Sequence, residues 1–297
     1  MIPRCAVAAQ ARGESLIGTA STVTRFLLLE DPGPWGVDAL RDARMPVEVK
    51  EQLMARARRS RVRVVLIRRH GRSRPGPLRC FAVCASVDNR WVEAMLLDDI
   101  HDVLNLDLAA LGEARSLGLD RHKESLFLVC THGRHDACCA ERGRPLASAL
   151  SLTHPTLTWE CSHIGGDRFA GNLVILPDGL YYGRVDEQSG PRIAAGHLRG
   201  QLDLGHLRGR VTQSFPAQAA EWLLRTELGV TGLDDVRLVS DGTRGERPEA
   251  VFAVADSARW RVRVRIGKTE PEPLSCRAKH LSLAPTYKLL DITRDNG

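Results

Sequence analysis

Apolar residues come in short blocks separated by turn-forming residues along most of the chain. Residues 21–30, STVTRFLLLE, predict a strand ended by the turn PGPWG. MPVEVKEQLMARA, 46–58, has the polar-to-apolar spacing of a helix. RVRVVLIRR and LRCFAVCASV then predict two strands joined by the loop HGRSRPGP. Residues 91–112 are apolar enough to close this first unit, and EARSLGLDRHKES, 113–125, reads as a polar linker.

A second unit opens with LFLVC, 126–130, a continuous apolar run of the kind that forms a strand buried on both faces. RPLASALSL, 144–152, predicts a helix with Pro145 near its first turn. TLTWEC is a further strand, and NLVILPDGLYYGRV gives two strands around a Pro-Asp-Gly turn. EQSGPRIAAGHLRG is a helix ending at a glycine. The order β-α-β, hairpin, helix is that of a thioredoxin-like α/β unit. Beyond it, SFPAQAAEWLLRTELG predicts a helix capped by Ser214 and closed at Gly229. VRLVSDG, AVFAVAD and WRVRVRI predict a small antiparallel set, with Trp260, Val262, Val264 and Ile266 on one side of the last strand and three arginines on the other. The fold class is therefore α/β. An N-terminal α/β domain (1–120) precedes a thioredoxin-like domain (121–205), and a C-terminal segment (206–297) adds a helix and antiparallel strands. The pentapeptide GHLRG occurs twice, nine residues apart, too few copies for a solenoid.

Composition narrows the class. The longest apolar runs, such as FLLL and VVLI, are far too short to span a bilayer. MIPRCAVAAQARGES lacks the apolar core of a signal peptide, so the expectation is a soluble cytoplasmic protein in a reducing compartment, where structural disulfides are uncommon. There, clustered thiols point to metal ligands, redox groups or core packing. The net charge is +6, and only five of the 42 basic residues are lysine. Ten arginines between 56 and 79 read as a solvated face in an Arg-rich chain, because no aromatic stacking platform accompanies them for nucleic acid. Such a surface would steer an acidic redox partner.

The chemistry concentrates in VCTHGRHDACCA and ECSHIGGDRFAGN. Cys130 ends a strand, and Cys138 and Cys139 lie in the loop or first turn before a helix. Cys161 and His163 end the neighbouring strand, and Asp167 follows Gly165 and Gly166. These six groups can converge on one edge of a sheet. A [2Fe–2S] centre, a Cys₃His zinc site and a dithiol couple are each compatible with such a set, as is plain core packing. Neighbouring side chains at 138 and 139 diverge, so one of the two is expected as a ligand. His132, His135 and Asp136 read as turn and capping residues. Cys80 and Cys84, four apart in a strand, and the isolated Cys5 and Cys276 read as packing residues.

CTHGRHDACC followed by WECSHIGGDRFAGNLVILPDGLYYGRV resembles the sucrase/ferredoxin-like family, whose central part is a thioredoxin-like ferredoxin domain. The resemblance implies a [2Fe–2S] cluster held by two Cys and, in some members, two His. Carried over by position, the matching residues are Cys130, Cys139 and His163. Asp167 stands where the second His would be. Either this carboxylate is the fourth ligand, or Cys161 or Cys138 is and Asp167 orients His163, or the cluster is lost. The implied activity is one-electron transfer with a redox partner protein rather than catalysis on a substrate of its own. The alternative is a zinc-stabilised or metal-free binding module. No carboxylate pair placed for glycoside hydrolysis accompanies these motifs.

Overall fold

A computed structural model describes residues 4–71, 76–242, 248–254 and 258–295. The chain begins with helix α1 (Cys5–Ala11), which turns Cys5, Ala6 and Ala9 inward. The first apolar block is strand β1 (Arg25–Glu30), wholly buried from Phe26 to Leu29. Helix α2 (Val47–Arg59) buries Val49, Leu53 and Ala57 along one stripe, as its spacing requires. It crosses over to strand β2 (Arg63–Arg68), which therefore pairs with β1 in parallel. Strands β3 (Leu78–Cys84) and β4 (Trp91–Leu97) continue antiparallel on the other side of β1. Residues 72–75 of the loop before β3 lie outside the described residues. After a 3₁₀ turn at 100–105 comes helix α3 (Leu108–Gly112), and the polar linker contributes the two-residue edge strand β5 (Asp120–Arg121).

The second unit contains strand β6 (Leu126–Cys130), helix α4 (Ala137–Thr153) and strand β7 (Thr158–Cys161). The hairpin β8 (Leu173–Leu176) and β9 (Leu180–Tyr182), helix α5 (Ser189–Leu198) and strand β10 (Leu207–Arg210) complete it. Strands β6 and β7 are parallel, β8 runs antiparallel to β6, and β9 antiparallel to β8. The resulting order β7-β6-β8-β9 is the thioredoxin-like arrangement. LFLVC is buried on both faces, and this explains its unbroken apolar run. Phe127 and Val129 pack against Leu146, Ala147, Leu150 and Ile193 of the helices. Leu128 and Cys130 face a second core with Trp159, Cys161, Val174 and Tyr181.

Helix α4 starts earlier than its sequence suggests. Pro145 lies in its interior rather than its first turn, because Asp136 caps the helix by accepting the Cys138 N–H (2.9 Å). Burial of Cys138, Cys139, Gly143, Leu146 and Leu150 then outweighs the hydrogen bond that proline removes.

Strands β2 and β7 pair antiparallel through Ile67 with Cys161 and Arg68 with Glu160, so both units share one ten-stranded sheet, in the order β10-β9-β8-β6-β7-β2-β1-β3-β4-β5. Helix α6 (Phe215–Leu228), capped by Ser214 and closed at the left-handed Gly229, lies on a separate sheet of β11 (Val236–Gly242), β12 (Glu249–Val254), β13 (Ala258–Lys268) and β14 (Pro285–Arg294). Leu224, Phe252, Val262 and Val264 form its core. Of the three arginines that alternate in WRVRVRI, Arg263 and Arg265 are exposed, and Arg261 is half-buried and bonded to Glu249 and Asp295. The last two residues of AVFAVAD lie outside the described residues. Among the described residues, no helix is long and apolar enough to cross a membrane.

Candidate metal centre

Two strand ends and one helix start build the site. Cys130 and Cys161 stand opposite each other in the parallel register of β6 and β7, with side chains on the same face. Helix α4 is pressed against the end of β6 at Gly143, where an added Cβ would stand 2.1 Å from the Cys130 carbonyl oxygen. Cys139 lies one turn before Gly143 on the same helical face, so this close approach delivers its thiol beside that of Cys130.

The donor atoms of Cys130, Cys139 and His163 lie within 4.8 Å of one another, and those of His135, His163 and Asp167 form an overlapping group. The Cys139 thiol donates to Asp167 Oδ1 (3.3 Å). His163 Nδ1 lies 2.9 Å from the same oxygen, but without hydrogen-bond geometry, and it is a buried nitrogen with no other partner. The His135 ring stacks on His163 with centroids 3.8 Å apart. Gly165 and Gly166 both adopt left-handed backbone (φ +95° and +82°), and a side chain at Gly166 would collide with the guanidinium of buried Arg208. These glycines let the chain turn back and bring Asp167 under His163. Arg208 braces the turn by donating to the Gly165 carbonyl (3.0 Å) and to Asn172 Oδ1 (2.8 Å).

The thiols are electrostatically unequal. The neighbouring thiols of Cys139 and then Cys161 hold the Cys130 pKa well below the ordinary thiol value against the opposing effect of burial, and nearby His163 adds to this. The Cys139 pKa is raised by its bond to Cys130 and by burial, and that of Cys161 by burial and its bond to Cys130. Behind the site, Glu160 accepts from Thr131 (2.8 Å) and Arg68 (2.7 Å) and contacts His70 (2.7 Å). Burial pushes the Glu160 carboxyl upward, but Thr131 and Arg68 outweigh it and hold the pKa below 4.5.

The six sequence candidates do not share one place. Cys130, Cys139, His163 and Asp167 meet, with Cys161 beside Cys130. Cys138, on a different side of α4, meets Cys5, Cys276 and Asp136 instead. Cys5 and Cys276, read separately as packing residues, are therefore partners across 271 residues of chain, a separation that leaves no spacing signal. His135 joins the centre although its sequence reading is a turn residue. His132 keeps a structural role: its Nε2 faces the Gly36 carbonyl (2.6 Å) and its Nδ1 accepts the His163 N–H (3.2 Å). Cys80 and Cys84 are core residues, as their spacing suggests.

Two thiols, an imidazole whose buried nitrogen lacks a hydrogen bond, and an adjoining carboxylate together offer the donor types of a metal site. A family model described as sucrase/ferredoxin-like matches residues 16–211. The chain matches no curated protein. Among solved structures it is similar to two cysteine-to-serine variants of the thioredoxin-like [2Fe-2S] ferredoxin from Aquifex aeolicus. Each is 20% identical, over 28% of this chain and 97% of that one, with TM-scores of 0.26 and 0.25.

Proposed function

The chain belongs to the sucrase/ferredoxin-like family, and from that premise we propose that it is a one-electron carrier holding a [2Fe–2S] cluster. Cys130 and Cys139 hold one iron, and His163 with Asp167 holds the other. The observation that carries this reading is the convergence of Cys130, Cys139 and His163 within 4.8 Å around a buried, hydrogen-bond-free Nδ1. The cluster would supply reversible one-electron chemistry. The protein's own residues do the rest. Buried Cys130, Cys139 and Cys161 keep water from the sulfur side. His163, with a quarter of its side chain exposed (26%), forms the contact edge toward solvent, and His135 stacks on it to fix the ring.

Arg63 donates to the His163 carbonyl (2.8 Å), and Arg63, Arg168 and Arg208 line a cavity of about 400 Å³ beside it. This basic rim suits an acidic redox partner, since electron-transfer encounters are brief and electrostatically guided.

The test is spectroscopic and analytical. Anaerobically purified protein is expected to be red-brown, with iron and acid-labile sulfide in equal amounts. Cys130→Ala and Cys139→Ala should remove both, and Asp167→Ala should perturb the electron paramagnetic resonance signal of the reduced protein. A colourless protein carrying zinc at Cys130, Cys139 and His163 would replace this reading with that of a zinc-stabilised module.

A further inference from the structure

A second constellation lies at the other side of the α4 N-terminus, and the electron-carrier reading makes no use of it. Cys5 comes from α1, Cys138 from the first turn of α4, and Cys276 from the connection between β13 and β14. That connection, 269–284, doubles back on itself through paired backbone bonds between Glu272 and Ser282 (3.0 and 2.9 Å). The three sulfurs form a nearly equilateral triangle: Cys138 to Cys276 is 3.4 Å, Cys276 to Cys5 is 3.5 Å, and Cys5 to Cys138 is 3.6 Å. The Asp136 carboxylate completes the group, with its oxygens 3.6 and 3.7 Å from the Cys5 sulfur.

These edges can be compared with those of a metal-centred tetrahedron. With zinc–sulfur bonds of about 2.3 Å and zinc–oxygen bonds of about 2.0 Å, the sulfur–sulfur edges are about 3.8 Å and the sulfur–oxygen edges about 3.5 Å. The three sulfur–sulfur edges and the edge from the Cys5 sulfur to Asp136 fall within a few tenths of an ångström of these values, and all four donors lie within 4.8 Å of one another. They are much longer than a disulfide bond of about 2.05 Å, and no pair of the three is singled out for one.

A backbone donor reaches the sulfurs: the Cys5 N–H donates to the Cys276 sulfur (3.4 Å). Asp136 is held in place by the N–H groups of Cys138 (2.9 Å) and Cys276 (2.7 Å), leaving its other lone pairs toward the sulfurs. A cavity of about 460 Å³, lined by Arg4, Cys5, Arg12, Cys276 and His280 among others, gives an ion a way in.

We propose that Cys5, Cys138, Cys276 and Asp136 bind one zinc ion in a closed tetrahedral site. Three thiolates and a carboxylate leave no open position, so the site is structural. It ties α1, the start of α4 and the 269–284 connection to one another. On this assignment the adjacent Cys138 and Cys139 serve two different metals.

Metal analysis of the full chain tests this independently of the cluster. In a Cys130→Ser background, which removes the cluster ligand, one equivalent of zinc is expected to remain. It should disappear on adding Cys276→Ser, and Cys276→His should restore it. Cys276 is exposed, so its replacement does not empty a packed core. Cobalt substituted for zinc should show the absorption bands of a tetrahedral thiolate site, absent in the Cys276→Ser protein. Zinc below half an equivalent in the Cys130→Ser protein would overturn the proposal. So would a disulfide joining any two of the three cysteines in peptide mapping, or iron rather than zinc lost with Cys276.

Discussion

Replacing Gly143 by alanine tests how α4 positions the site. An alanine Cβ there would stand 2.1 Å from the Cys130 carbonyl oxygen, whereas ordinary contact needs a little over 3 Å. The helix would have to retreat by about 1 Å at this point. Overpacking of this kind costs about 1–3 kcal/mol. Alanine favours a helix interior over glycine by about 1 kcal/mol, which offsets only part of it. A net loss of up to about 2 kcal/mol is expected.

A matched control lies in α5, where a Cβ at Gly196 would meet nothing closer than the Gln201 carbonyl at 3.8 Å. Gly196→Ala should therefore be neutral or stabilising, by up to about 1 kcal/mol. Denaturant unfolding of the three proteins gives the comparison, and bound iron and sulfide provide a second readout. The same 1 Å retreat would carry Cys139 away from Cys130, so Gly143→Ala should bind less cluster than Gly196→Ala. If Gly143→Ala proves as stable as the parent and loads as much iron, α4 is not held against β6 in the way described.

Other outcomes follow from the buried charges. Arg225 is fully buried and donates to Glu221 (2.7 Å) and to the Gly232 carbonyl (2.8 Å). Arg225→Ala removes the charge partner of buried Glu221, to which Gln213 still donates, and should cost about 3–5 kcal/mol in thermal or denaturant unfolding; a loss below about 1 kcal/mol would contradict the pairing. The Glu160 carboxyl, held below its ordinary 4.5, contributes stability that is present above that pH and lost as pH falls through its folded value. Glu160→Gln should therefore be less stable at neutral pH, and its stability should fall less steeply in acid; parallel acid profiles for the two proteins would exclude Glu160 as a source of the acid loss.

Much of the sheet is legible in the sequence because burial wrote it there. LFLVC has no polar position because both its faces are covered, and WRVRVRI alternates because only one is. Where tertiary contacts override local preference, the text misleads. GHLRG at 196–200 ends helix α5, whereas the same five residues at 205–209 lead into strand β10. Pro145 argues for a helix start, but the cap lies nine residues earlier at Asp136. The Cys130, Cys139 and His163 grouping follows from strand ends and one helical turn, so local spacing contains it. The Cys5, Cys138 and Cys276 triangle depends on where the two ends of the chain come to rest, and no local pattern encodes that.

The seam between β2 and β7 has a consequence for anyone who trims this protein. Two residue pairs form the β2–β7 ladder, and they help shelter a strand, Thr158 to Cys161, with no exposed residue. Trp159 on that strand lies under the Arg69 guanidinium and meets Phe81 edge-on, both from the first half. A fragment starting after residue 120 would bare this raw margin beside Cys161, and the cheapest way to cover it is to zip onto another copy of itself.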